Sequence, residues 1–215
     1  MIQYLRDHHA DVLTDLIAHI WLSVLPVVIG LAIALPIGWI AARFGWSYSP
    51  ITNLAGILYT IPSVALFVIM PSILHTKILS PVNVVVALTV YTVALLTRVV
   101  ADGLKSVPPD VRAAATAMGF TGIGRFLRVE LPIAVPVIAA GVRVATVSNV
   151  SLVSVGALIG VAQLGSLFTD GFTRYVNSVV LLGIILCVLL ALVLDGLILL
   201  TLRLLTPWQR AVAKP

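Results

Sequence analysis

Apolar residues fall in long blocks at residues 16–41, 51–74, 81–104, 131–159 and 176–205, with shorter polar stretches between them. Polar side chains are too sparse within a block to give a helix a wet face, and each block reaches the roughly 20 apolar residues that cross a bilayer. A chain in lipid must satisfy its backbone donors and acceptors within the segment, so these blocks are read as helices. The predicted fold is an all-α membrane protein of about five transmembrane helices. Residues 1–15 form an external amino-terminal segment, 16–205 the transmembrane domain with a loop at about 105–131, and 206–215 a cytoplasmic tail.

Small residues and prolines punctuate the blocks. Gly30, Ala34 and Gly38 recur every four residues in the first, and Gly156 and Gly160 in the fourth, a spacing that lets membrane helices approach closely. Pro26, Pro36, Pro62, Pro71 and Pro136 each remove a backbone donor and free a carbonyl for another partner. Thr60-Ile61-Pro62-Ser63 puts such a break near the middle of the second block, between hydroxyl side chains. It reads either as a bend beside a polar pathway or as a packing kink. Ser148, Asn149, Ser151 and Ser154 are open in the same way, between pathway lining and interhelical hydrogen bonding.

Composition excludes a water-soluble domain, since 60% of residues are hydrophobic and 10% charged. The net charge of +5 does not point to nucleic acid, because the basic residues sort by membrane side. With the loop after the third block in the cytoplasm, Arg43, Lys105, Arg112, Arg125, Arg128, Arg203, Arg210 and Lys214 lie inside, and Arg6, Lys77 and Arg174 outside. That satisfies the positive-inside rule, with the amino terminus external and the carboxyl terminus cytoplasmic. The first block starts too late and runs too long for a cleaved signal peptide. Cys187 is read as a small apolar side chain, His8 and His9 as solvated residues, and Trp21, Trp39, Trp46, Tyr48 and Trp208 as interface anchors.

Arg98 has Asp102 four residues on and is read as a local pair. Arg143 and Asp195 are different, because an ionisable group at membrane depth is costly without a partner or water. Counted from the inner ends of their blocks they lie roughly 18 and 15 Å deep. A buried pair between spans four and five is the expectation, and a pathway role the alternative.

The loop between the third and fourth blocks reads as a helix-turn-helix on the membrane surface. Pro108 and Pro109 end the preceding helix, Asp110 can cap a new one, Ala113, Ala114 and Ala115 favour helix, and Gly119 suits its end. Val111, Ala115 and Met118 share a face, and a second helix can run from Thr121 to about Glu130. The stretch from Gly119 to Phe126 has phosphate-loop glycine spacing, but Arg125 stands in place of lysine and Phe126 in place of the hydroxyl, so no nucleotide site is assigned. No catalytic or metal-binding motif appears.

Here the chain resembles the permease subunits of binding-protein-dependent ABC importers, whose loop follows E-A-A-x3-G-x9-I-x-L-P. Ala113, Ala114, Ala115, Gly119, Val129, Leu131 and Pro132 occupy those places with every spacing kept, and Ala113 departs from the usual glutamate. Asp110, Arg112 and Met118 flank the same positions. Leu58 to Leu66, Ala157-Leu158-Ile159-Gly160 and Gln163-Leu164-Gly165 are similar to the glycine betaine, carnitine and choline uptake branch.

The resemblance implies a type I importer fold and an ATPase-coupling role for the loop. It implies a second permease subunit, identical or homologous, and two cytoplasmic ATPase subunits that hold the ATP and magnesium. An external substrate-binding protein would be a separate chain carrying any aromatic cage for a quaternary ammonium group. No cofactor is expected on this chain. Other readings are a permease for a different small amine or betaine-like solute, a stand-alone secondary transporter, or a membrane-embedded enzyme; the loop pattern speaks against the last two.

Overall fold

The computed structural model is described for residues 2–207, with the side chains of Ile2, Gln3 and Leu205 set aside. Arg210 and Lys214, assigned above to the inner side, and Trp208, read as an interface anchor, lie outside the described residues. The described residues are helical nearly throughout: α1 (Ile2–Asp7), α2 (His9–Arg43), α3 (Gly45–Thr60), α4 (Ser63–Leu74), α5 (Pro81–Lys105), α6 (Pro109–Ala117), α7 (Gly122–Arg125), α8 (Leu131–Val155), α9 (Ser166–Thr173) and α10 (Asn177–Leu205). A π-turn at Phe126–Glu130 joins α7 to α8, and a 3-10 turn at Gly156–Ile159 follows α8.

Four helical stretches are long and apolar enough to cross a membrane, and α3 with α4 makes a fifth if that broken pair counts as one span. The break falls at Ile61 and Pro62, where Pro62 is extended with ψ 131°, as the Thr60-to-Ser63 segment predicts. The fourth block ends at Ile159 as expected, with its last turn in 3-10 geometry. Its α-helix stops at Val155, and Gly160, with φ +82°, closes the 3-10 turn: Gly160 N–H donates to Ala157 O, and Val161 N–H donates to Gly156 O. Gly156 therefore opens the last turn of the span, and Gly160 lies one residue beyond its end. At its start α8 is continuous with the π-turn and α7, so the second helix expected in the loop is the first part of the fourth candidate span, Gly122–Ile159.

The chain divides into two compact units, one of residues 1–29, 61–90 and 146–197, the other of 30–60, 91–145 and 198 onward. The chain passes between them inside α2, α5, α8 and α10, and once more at the break between α3 and α4. In the first unit Val150, Leu164, Leu167, Val179, Leu182 and Leu190 form the core, with Cys187 packed against it. In the second, Val100, Leu104, Ala134 and Ile138 pack with Trp39 and Phe126.

Helix contact in the second unit rests on small residues. Ala34 is fully buried against Leu96 and Ala145. A Cβ on Gly38 would sit 2.6 Å from Val100, and one on Gly30 2.5 Å from Thr92. Large apolar side chains such as Val28 (60% exposed), Leu192 (64%) and Leu197 (53%) point outward instead. Lipid is the solvent such a surface requires, because close packing of small residues, not burial of large ones, joins helices in a bilayer.

Candidate functional site

The loop from Pro109 to Leu131 is built by local backbone chemistry. Pro108 is the extended residue before α6 and Pro109 its first residue, where a missing N–H costs nothing. Asp110 does not cap; its carboxylate stands in the first turn, where it favours the helix dipole. The far end is a Schellman closure: Phe120 N–H reaches Ala115 O at 3.1 Å and Gly119 N–H reaches Thr116 O at 3.0 Å. Gly119 has φ +84°, the left-handed geometry that only glycine adopts without strain.

Thr121 starts the next helix, its hydroxyl accepting Gly124 N–H at 3.3 Å. The π-turn then puts residues five apart on one face. Arg125 Nε donates to Glu130 Oε1 at 2.7 Å, and Nη1 donates to Thr116 Oγ1 at 2.8 Å. Thr116 in turn donates to Arg112 O at 2.8 Å. Glu130 is buried, so its charge is compensated by a bonded guanidinium as burial demands. This clasp ties the end of α6 to the foot of α8. Sequence inspection placed Arg125 and Glu130 in the loop without pairing them, because i,i+5 is not a helical spacing.

The clasp leaves a defined outer surface. Ala115 is buried and Val111 half-buried, whereas Met118 is 70% exposed, so these three do not share one buried face. Ala113, Ala114 and Ala117 are also exposed. Ile123 (63% exposed) and Leu127 (54%) add to an apolar surface on a loop that is otherwise charged. Exposed apolar side chains on a rigid polar loop mark an interaction surface. Val129, Leu131 and Pro132 are half-buried where the loop enters α8.

A second polar centre lies in the first unit. His19, fully buried on α2, sets Nδ1 3.0 Å from Gln163 Oε1 and Nε2 2.9 Å from Val150 O. Gln163 is also fully buried; its Oε1 accepts Gly165 N–H at 2.5 Å and its Nε2 donates to Ser154 O at 3.3 Å, which fixes the amide orientation. Both ring nitrogens thus face acceptors. Ser23 donates to His19 O at 2.7 Å, and Asn149 donates to Ser23 O at 3.3 Å. A Cβ on Gly165 would collide with the Ser154 carbonyl. His19 escaped sequence reading, since its partners lie more than 130 residues away.

The other candidates are dispersed. Thr60 is exposed and donates to Ile57 O at 2.7 Å; Pro62 is exposed and Ser63 half-buried at the helix break. Asn149 is buried in the network just described, and Ser148 is half-buried beside it. Arg143 is half-buried on α8 in the second unit, and Asp195 half-buried on α10 in the first. Arg98 pairs with Asp102 at 3.8 Å, and Asp102 also accepts from Tyr48 at 2.5 Å. Trp39 stacks on Phe126 at 5.4 Å, while Trp46 is 81% exposed.

Residues 34–207 match the family model described as binding-protein-dependent transport system inner membrane component. The chain is 34% identical over 200 residues to the osmoprotectant import permease protein OsmW of Salmonella typhimurium, covering 92% of this chain and 93% of that one. It is 27% identical over 207 residues to the glycine betaine/carnitine/choline transport system permease protein OpuCB of Bacillus subtilis, covering 96% and 94%. Over 146 residues, 68% of this chain and 25% of that one, it is 30% identical to the ergothioneine transport permease/ergothioneine binding protein EgtU of Helicobacter pylori. Among solved structures, an inward-facing MetNI methionine ABC transporter chain superposes with a TM-score of 0.76 at 22% identity, covering 89% of this chain and 96% of that one.

Proposed function

The chain belongs to the family of binding-protein-dependent transport system inner membrane components, and from that premise we propose that it carries betaine-type osmoprotectants, driven through the clasped loop by an ATPase. It is a multi-pass membrane permease subunit of an ABC importer and not an enzyme. The observation that carries the coupling role is the exposed Met118, Ile123 and Leu127 surface on a loop made rigid by the Arg125–Glu130 clasp. A rigid element that docks a moving partner passes displacement on without absorbing it, and its backbone is closed at both ends by hydrogen bonds.

In this reading the loop faces the cytoplasm and meets one of two ATPase subunits, which bind ATP and magnesium. A second permease subunit completes the pathway, and an external binding protein selects the solute. Ala113 is exposed where relatives of the resembled pattern carry glutamate, so docking here relies on shape and apolar contact more than on that acid. Thr60 and the break at Pro62 are the proposed pathway elements, with Ser148 beside them in role.

Copurification of a cytoplasmic ATPase with the full chain, lost when Met118 and Leu127 are changed together to aspartate, tests the docking role. ATPase retained by that variant would refute it. The solute is tested by offering the associated binding protein glycine betaine, choline, carnitine and ergothioneine; binding of none of them would overturn the substrate class. Ergothioneine belongs in the panel because a relative named for it shares 30% identity.

A further inference from the structure

The clasp leaves positive charge uncompensated. A cleft in the second unit is lined by Trp39, Ala42, Arg43, Leu104, Arg112, Arg125 and Glu130. It thus gathers three guanidiniums around one carboxylate, and Glu130 is already bonded to Arg125. The Arg112 and Arg43 guanidiniums have no acidic partner among the described residues. Arg43 is held instead by aromatic faces, 5.3 Å from the Trp39 ring and 5.6 Å from that of Phe44. Its guanidinium also lies against Gly122, where any Cβ would collide with it.

Like charges converging in a partly enclosed cleft repel unless an anion joins them. Guanidinium forks match phosphate oxygens two at a time, and a carboxylate already occupies the site's one acidic position. The apolar wall of Trp39, Ala42 and Leu104 comes from membrane-spanning helices, so the cleft opens where headgroups lie. We propose that the Arg43–Arg112–Arg125 cleft binds an anionic phosphate group, carried by a phospholipid headgroup or free in solution. The inference rests on the loop lying at a membrane surface, as proposed above.

The test uses the full chain purified in neutral detergent and titrated with short-chain phosphatidylglycerol, short-chain phosphatidylcholine and inorganic phosphate, followed by native mass spectrometry and thermal shift. Phosphatidylglycerol should bind, and binding should fall at least about tenfold in R43Q/R112Q, since each lost guanidinium removes charge-assisted hydrogen bonds. Gly122→Ala should weaken it too, by displacing Arg43 with no loss of charge. Competition by millimolar phosphate would identify the free anion as the source, and its absence the headgroup. Equal binding of phosphatidylcholine, or unchanged binding in both variants, would overturn the proposal. So would a double variant that sheds the ATPase yet keeps the lipid, which would make the cleft a protein dock. Lipid binding and ATPase retention are separate readouts, so either reading can fail alone.

Discussion

Gly119 has no heavy atom within 4 Å of the place where a Cβ would stand, so its requirement for glycine is conformational and not steric. Valine there would be strained by about 1–2 kcal/mol or would open the Schellman closure. The expected outcome for Gly119→Val is normal membrane insertion with ATP hydrolysis uncoupled from uptake, read in proteoliposomes; full uptake would remove the loop from the coupling path. Gln163 poses the opposite case. Leucine at that position strands the His19 ring, Gly165 N–H and Ser154 O together, and should destabilise the subunit on the order of 3 kcal/mol. A thermal melt of the detergent-solubilised protein unchanged from wild type would show that the network contributes nothing. The first residue was legible in the sequence because helix-end chemistry is local. Gln163 appeared only as part of a family pattern, because its meaning depends on a histidine 144 positions away.

At the scale of elements, hydrophobic length located the spans well and their ends less well. Residues 81–104 became α5 almost unchanged, whereas the last turn of the fourth block, Gly156–Ile159, is a 3-10 turn and not α-helix. Hydropathy registers burial in lipid and is blind to a change from α to 3-10 geometry. The π-turn was equally invisible, as Phe126 to Glu130 are ordinary helix formers and only the distant Thr116 reveals why Arg125 and Glu130 should align. Residues 160–175, between the fourth and fifth blocks, contain α9, which packs Leu167 into the core. Small-residue spacing did carry through to contact. Gly38→Leu should therefore lose about 1–3 kcal/mol by overpacking against Val100, while Gly56→Ala, with nothing within 4 Å, should be neutral or better. Equal melting temperatures for the two would deny the α2–α5 contact.

For the molecule as a whole, orientation is the property on which the coupling proposal depends. With Cys187 replaced by alanine, a cysteine at Lys77 should react with an impermeant reagent added outside intact cells, and one at the exposed Arg128 should react only after permeabilisation. The reverse pattern would put the loop on the wrong side for an ATPase. The division into units has an evolutionary edge as well. Each unit is written in three separated passages of the gene, and four of the five changeovers fall inside long helices, at 29/30, 90/91, 145/146 and 197/198, the fifth at the helix break at 60/61. A single recombination crossover anywhere between residues 30 and 197 therefore leaves both units hybrid. The His19 network and the Arg125 clasp sit in different units, and chimeras made by one cut within residues 30–197 should fail in packing before they fail in specificity.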